Sequence, residues 1–147
     1  MTFDEFSEAV GTIAEQLPDE LFTGLTGGVV AVVGEKLHEK SIPTDPLYVA
    51  GQYVRSRSMG SQILLYYGSF MRLYGRCTRE QILGHIRRIM LHELTHHWEF
   101  RSGERGLEID DAERLSEYLD SHAEDKPEIQ PENTRTYTYR GPEPEQR

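Results

Sequence analysis

The sequence predicts an α+β domain in which a small mixed or antiparallel sheet of three or four strands packs on one long helix. Two long segments place their apolar residues at helical spacing, and three short apolar runs lie between turn-forming residues. The longest helical segment contains the motif His-Glu-x-x-His. A length of 147 residues fits one domain. We place that domain at residues 1–122 and expect an acidic, proline-rich flexible tail at residues 123–147.

The first helix is predicted over residues 2–17. Thr2 and Glu5 have the spacing of a capping box, in which each side chain accepts a hydrogen bond from the backbone N–H of the other residue. Pro18 ends the helix because a proline disfavours helical geometry in the residue before it. The apolar stripe typical of a helix packed on a core is formed by Phe3, Phe6, Val10, Ile13, Ala14 and Leu17.

Three strands are predicted next. The β-branched run at residues 29–33 lies between glycines and predicts a buried strand. Residues 47–55 and 62–67 predict two further strands, and the short polar loop between them predicts a hairpin.

The long helix is predicted to begin after Thr78, which has capping-box spacing to Gln81, and to end at Gly103. Apolar residues keep helical period from Ile82 to Trp98. Cys77 is expected to pack at the helix entrance, and as the only cysteine it excludes an intramolecular disulfide. A last helix is predicted over residues 110–122.

The charge balance limits the partner classes. A formal net charge of −9 argues against nucleic acid and against docking on an anionic membrane. The N-terminus has no basic segment followed by an apolar run, and the longest apolar run is too short to cross a bilayer. We therefore expect a cytoplasmic protein with neither nucleic-acid nor membrane partners.

The motif on the long helix carries the chemistry. His92 and His96 are four residues apart, so on a helix both imidazoles lie on one face and can point at one metal ion. Two nitrogens and a carboxylate, with one open position, form the ligand set of catalytic zinc. Glu93 is placed to act as general base on a water molecule at that position. We expect His92 and His96 to bind Zn²⁺ and Glu93 to be the base.

Two neighbouring histidines are expected to have other roles. His97 lies about 100° from His96 around the helix and is expected to be a polar helix residue. His85 lies about two turns before His92, which is too far for it to bind the same ion.

A third ligand is expected among the downstream carboxylates. Glu99 lies on the same helix, where it would compete with Glu93 for space. Asp110 is expected to cap the last helix, which leaves Asp111 and Glu113 as open alternatives. The full set of downstream candidates is Glu99, Glu104, Glu108, Asp110, Asp111, Glu113 and Glu117.

Three segments resemble the small bacterial zincin-like metallopeptidases, a family of short single-domain proteins. They are Gly51-Gln52-Tyr53, Ile63-Leu64-Leu65-Tyr66-Tyr67-Gly68 and the run from Ile86 to His97. The resemblance covers residues 2–120 and implies a zincin-like fold, peptidase activity and a zinc cofactor. In that family the motif usually extends to HExxHxxGxxD, whereas positions 99 and 102 here are Glu and Ser. With residues 100–108 taken as an insertion, the family's aspartate ligand corresponds to Asp111.

These patterns predict a zinc-dependent metallopeptidase that acts on a peptide or protein substrate. Residues 62–67 are the strand expected to pair with the substrate backbone. Candidate donors to the oxyanion, each also expected to be a packing aromatic, are Tyr53, Tyr66, Tyr67 and Tyr74. Two alternatives stay open: a zincin-like scaffold that binds peptides with weak or no turnover, and an α+β domain whose histidines are structural.

Overall fold

The structure is a computed structural model that describes residues 1–58, residues 60–103 and the backbone of residues 136–140. It confirms the α+β class and the mixed sheet. A 3-10 turn at Asp19–Phe22 follows the first helix. The helices and strands in chain order are α1 (Phe3–Gln16), β1 (Val29–Val32), β2 (Leu47–Ser56), β3 (Gly60–Tyr66), α2 (Tyr67–Tyr74), α3 (Arg79–Ser102) and β4 (Thr136–Arg140).

The sheet has the strand order β1-β3-β2-β4. β1 runs parallel to β3, with Val29 opposite Ile63. β2 runs antiparallel to β3, which confirms the predicted hairpin, and antiparallel to β4. Gly51 of β2 is opposite Leu65 on one side and Tyr137 on the other. β3 therefore lies inside the sheet, and β1 and β4 are its outer strands in the described part of the chain.

Both predicted capping boxes are present. The Thr2 N–H donates to Glu5 Oε1 at 2.8 Å, and the Glu5 N–H donates to Thr2 Oγ1 at 3.1 Å. Hydrogen bonds from the Thr2 backbone and side chain to the Glu5 carboxylate lower the pKa of Glu5. The corresponding pair at the start of α3 joins Thr78 and Gln81 at 2.9 and 3.2 Å. The sequence therefore locates the N-terminus of each long helix to the residue.

One apolar core joins the three helices to one face of the sheet. Phe6 of α1, Phe70 of α2 and Ile89 of α3 are fully buried in it, together with Ile63 and Leu65 of β3. The residues between these on β3 are only half-buried, as alternation along a strand requires. α3 is thus held directly against β2 and β3.

Gly51 lets β2 approach α3 closely. A Cβ atom at this position would lie 2.5 Å from Ile89 Cγ2 and 3.1 Å from Leu65 Cδ2. A side chain at position 51 therefore requires the Ile89 side chain to move, because its Cγ2 atom lies closer than an ordinary Cβ contact allows. The sheet register also shifts between Val49 and Gly51, so that both residues and the intervening Ala50 are buried.

Two expectations differ from the structure, and one segment of the predicted tail forms a strand. β1 is half-buried along its whole length, because it is an outer strand and pairs only with β3 among the described residues. Tyr67, the predicted end of a strand, instead begins α2, a helix the sequence did not predict. β4 lies within the predicted tail, where it forms a strand next to β2. The helix predicted at residues 110–122 lies outside the described residues, and the domain boundary at 122 stays a prediction.

None of the described helices is long and apolar enough to cross a membrane.

Candidate metal centre

His92 and His96 meet on one flank of α3. The two Nε2 atoms are 3.0 Å apart, and the ring planes are nearly perpendicular at 88° with centroids 4.5 Å apart. His92 is buried at 3% exposure, and the His96 side chain is 11% exposed. One turn of helix therefore brings the two predicted ligand atoms into direct contact.

The spacing of these nitrogens fits a zinc ion. Zinc–nitrogen bonds of 2.0–2.1 Å at a tetrahedral angle hold two nitrogens about 3.3 Å apart. The observed 3.0 Å requires the rings to separate by only about 0.3 Å, which small side-chain rotations provide. Imidazole is also a nitrogen donor that zinc prefers. The pair fits the metal in both donor type and position.

Glu99 fixes the orientation of His96. His96 Nδ1 lies 3.1 Å from Glu99 Oε1, and a carboxylate only accepts hydrogen bonds, so Nδ1 carries the proton and donates. In the neutral ring the lone pair is then on Nε2, the atom that faces His92. A carboxylate that holds the second nitrogen of a ligating histidine is a recurrent feature of metal sites.

His92 is held in its neutral form. Burial, and then the positive charge that His96 can carry, lower its pKa to about 3. A metal-binding histidine must be neutral, so this environment suits ligation at neutral pH.

Glu93 is fully buried between α3 and β2. A Cβ atom at Gly51 would lie 3.5 Å from Glu93 Cγ, which places this glutamate against the point of closest approach between helix and sheet. Glu93 is one residue from His92, about 100° around the helix, and so lies beside the histidine pair on its sheet side. The predicted base is therefore next to β2.

Both ring nitrogens of His97 make hydrogen bonds within the protein. Its Nε2–H donates to the Thr23 carbonyl at 2.8 Å, and its Nδ1 accepts from the Tyr53 hydroxyl at 2.8 Å. The ring is 1% exposed. Both nitrogens are therefore engaged in tying α3 to β2 and to the segment after α1.

His85 stacks on Tyr74, with ring centroids 3.8 Å apart and an interplanar angle of 12°. Burial, and then the charge of Arg88, lower its pKa to about 4. It lies seven residues before His92, and nothing in the geometry places it at the metal centre.

The candidate oxyanion tyrosines make protein contacts. The Tyr53 hydroxyl bonds His97, and the Tyr66 hydroxyl donates to Gln52 Oε1 at 3.0 Å. The Tyr67 hydroxyl donates to the Met1 carbonyl at 2.5 Å, and Tyr74 stacks on His85. These contacts favour the packing role for all four.

The expectation that residues 62–67 pair with a substrate is wrong. β3 has β1 on one side and β2 on the other, so its backbone groups already pair within the sheet. The strand next to Glu93 is β2, through Gly51. If β4 is set aside, the outer edge of β2 is the sheet edge next to the candidate base.

The third ligand is not located. Asp111, Asp110 and Glu113 all lie outside the described residues, and Asp111 stays a prediction. Among residues 1–58 and 60–103, no group of three potential metal-binding side chains is found. Glu99, on the same helix, contacts His96 rather than filling a ligand position.

Two contributors were missed by sequence reasoning. Glu99 is expected only to compete with Glu93 for space, although its i+3 spacing from His96 is also a signal for a side-chain pair. Gly51 is expected only as part of a family segment, because its role depends on a close helix–sheet contact that no local pattern encodes.

Comparison with known proteins shows a likeness in fold. No protein-family model and no curated protein matches it. A solved structure of a conserved hypothetical protein from Thermus thermophilus is similar, with 29% sequence identity and a TM-score of 0.58. The match covers 69% of this chain and 98% of that chain. The fold is therefore shared with a protein described only as hypothetical.

Proposed function

We propose that this protein is a zinc-dependent peptidase. The observation that carries the proposal is the pair of Nε2 atoms of His92 and His96, 3.0 Å apart, with His96 oriented by Glu99. Glu93 lies next to this pair and against an extended strand. A helix-borne histidine pair with an adjacent glutamate is the arrangement of metal-dependent hydrolysis.

His92 and His96 would hold the ion, with Asp111 proposed as the third ligand. Bound zinc supplies a Lewis acid and makes water a stronger nucleophile at neutral pH. Glu93 accepts the proton of the attacking water on its carboxylate and passes it to the amide nitrogen of the leaving group.

The substrate is an extended peptide that pairs with the outer edge of β2. Strand addition supplies main-chain hydrogen bonds to any sequence. A peptide residue opposite Gly51 would lie near Glu93, since a Cβ atom at Gly51 would be 3.5 Å from Glu93 Cγ. Pairing to β2 therefore brings one peptide bond to the base.

The test is hydrolysis of a fluorogenic peptide library by zinc-loaded wild type and by Glu93→Gln. We expect Glu93→Gln to keep its zinc and lose hydrolysis at least a hundredfold, because general base catalysis contributes on the order of 10² to 10⁴. Glu80→Gln, an exposed change at the other end of α3, is the matched control and should cleave like wild type. Equal cleavage by Glu93→Gln and wild type would overturn the assignment.

A peptide-binding protein without turnover is the second candidate. It is favoured by the departure from the family pattern at positions 99 and 102, and by the β2 edge, which binds a strand in this structure. Peptide binding that persists in Glu93→Gln, together with no cleavage by any zinc-loaded form, would favour this function.

A further inference from the structure

The outer edge of β2 is covered by a strand from near the end of the same chain. Thr136–Arg140 runs antiparallel to β2 and pairs with Leu47, Tyr48, Val49, Gly51 and Gln52. An added peptide would use the same backbone groups of β2, because each N–H and C=O on a strand edge makes one ladder bond. β4 and an external peptide cannot occupy this edge together.

The covered edge is on the histidine side of the molecule. Leu83 and Arg87 line a groove of about 400 Å³ with residues of α1, so this flank of α3 faces α1. His92 follows Leu83, and His96 follows Arg87, by nine residues each, which is half a turn around the helix. The histidines therefore point away from α1.

The strand order also places β4 on the side of the molecule away from α1. α1 packs over β1, the first strand in the order β1-β3-β2-β4, and β4 lies at the opposite end. β4 also contacts α3. The strand that covers β2 thus lies on the flank of α3 that carries His92 and His96.

The register places β4 at the candidate base. Tyr137 is opposite Gly51, where a Cβ atom would lie 3.5 Å from Glu93 Cγ. β4 therefore occupies the position that a bound peptide is proposed to take.

We propose that β4 is an internal pseudosubstrate: it occupies the peptide-binding edge of β2 and must leave before another peptide binds. The cleavage consequence rests on the proposed function, whereas the competition for the edge does not. The ligand class is an extended peptide, and the resting chain is self-blocked. The apparent affinity for a peptide is the intrinsic affinity multiplied by the fraction of molecules in which the edge is free.

A disulfide clamp tests the competition in the full chain. Tyr48 and Tyr139 are opposite each other, and opposed residues of antiparallel strands have Cα atoms about 4.5–5.5 Å apart, within disulfide range. Tyr48→Cys and Tyr139→Cys are combined with Cys77→Ser so that only one pairing is available. Oxidation fixes β4 in place, and reduction by a phosphine releases it in the same protein.

A release variant gives the opposite perturbation. Successive N–H groups of a strand point to opposite sides, so Tyr137→Pro with Thr138→Pro removes a ladder bond to β2 whichever residue makes it. Glu145→Pro, outside the strand, is the matched control.

The probe is a fluorescein-labelled peptide with the chain's own residues 133–143, measured by anisotropy. We expect the release variant to bind it at least tenfold more tightly than wild type and the Glu145→Pro control, and the reduced clamp to bind at least tenfold more tightly than the oxidised clamp. Equal affinity in the oxidised and reduced clamp, or no binding in either, overturns the proposal even if the proline variant fails to fold.

Cleavage by the zinc-loaded forms separates the two claims. If peptide binding differs between the oxidised and the reduced clamp but no form cleaves, β4 is a pseudosubstrate and the proposed peptidase activity is wrong. If both cleavage and peptide binding are the same in the oxidised and the reduced clamp, the protein is a peptidase and the pseudosubstrate proposal is wrong.

Discussion

Removing the Glu99 carboxylate should weaken zinc binding through His96. The carboxylate accepts from His96 Nδ1–H at 3.1 Å and so keeps the Nε2 lone pair facing His92. Loss of such a partner typically costs 10- to 100-fold in metal affinity. The Glu99 side chain is 66% exposed, so water can partly replace its carboxylate as the acceptor from His96. We therefore expect a loss of affinity at the lower end of that range. We expect Glu99→Ala to weaken zinc binding about tenfold, or about 1.4 kcal/mol.

The assay is competition with a chromophoric chelator at pH 7.5. Glu99→Gln should lose only about threefold, because its amide oxygen still accepts the hydrogen bond but carries no charge. Glu80→Ala removes the same charge from the first turn of α3 and should bind zinc like wild type. Affinity of Glu99→Ala within twofold of wild type, with helix content unchanged by circular dichroism, would refute the role given to Glu99.

Three further expectations concern the surroundings of the site. Tyr53→Phe deprives buried His97 Nδ1 of its donor and should lower the free energy of unfolding by about 1–3 kcal/mol in urea titrations, whereas Tyr48→Phe should not. Gly51→Ala forces a Cβ atom against Ile89 and should cost about 1–3 kcal/mol by the same measurement, so wild-type stability would contradict the close approach. His85 should titrate near its pKa of about 4 by NMR. Its proton is taken up at higher pH in the unfolded chain, so metal-free protein should lose stability between pH 6.5 and 4, and His85→Gln should reduce that loss.

The parts of the fold that the sequence predicts are those with a local sequence signal. The capping pairs at Thr2 and Thr78 place both long helices, and the loop before Gln62 places the hairpin. α2 was missed because it is eight residues long, has no side-chain N-cap and directly continues an apolar strand. Strand order is not encoded locally, so the sequence wrongly predicts that β3, an inner strand, binds a substrate.

In the candidate site, too, the sequence predicts the local contacts and not those between distant parts of the chain. The contact of His92 with His96 follows from helical periodicity alone, and so does the separate position of His97. The closeness of Glu93 to Gly51, and the return of residues 136–140 to β2, depend on contacts far apart in the chain. Asp111 required the resemblance to a family, and it lies outside the described residues.

The proposal that His92 and His96 bind zinc is tested by the metal content of the purified, untagged chain, determined by mass spectrometry. We expect about one zinc ion per chain in wild type, and its loss in His92→Ala and in His96→Ala, because each removes one nitrogen ligand of a tetrahedral site. His38→Ala, in the β1–β2 loop, should keep its zinc. Equal zinc in all four proteins, or none in wild type after incubation with zinc at neutral pH, would contradict the claim.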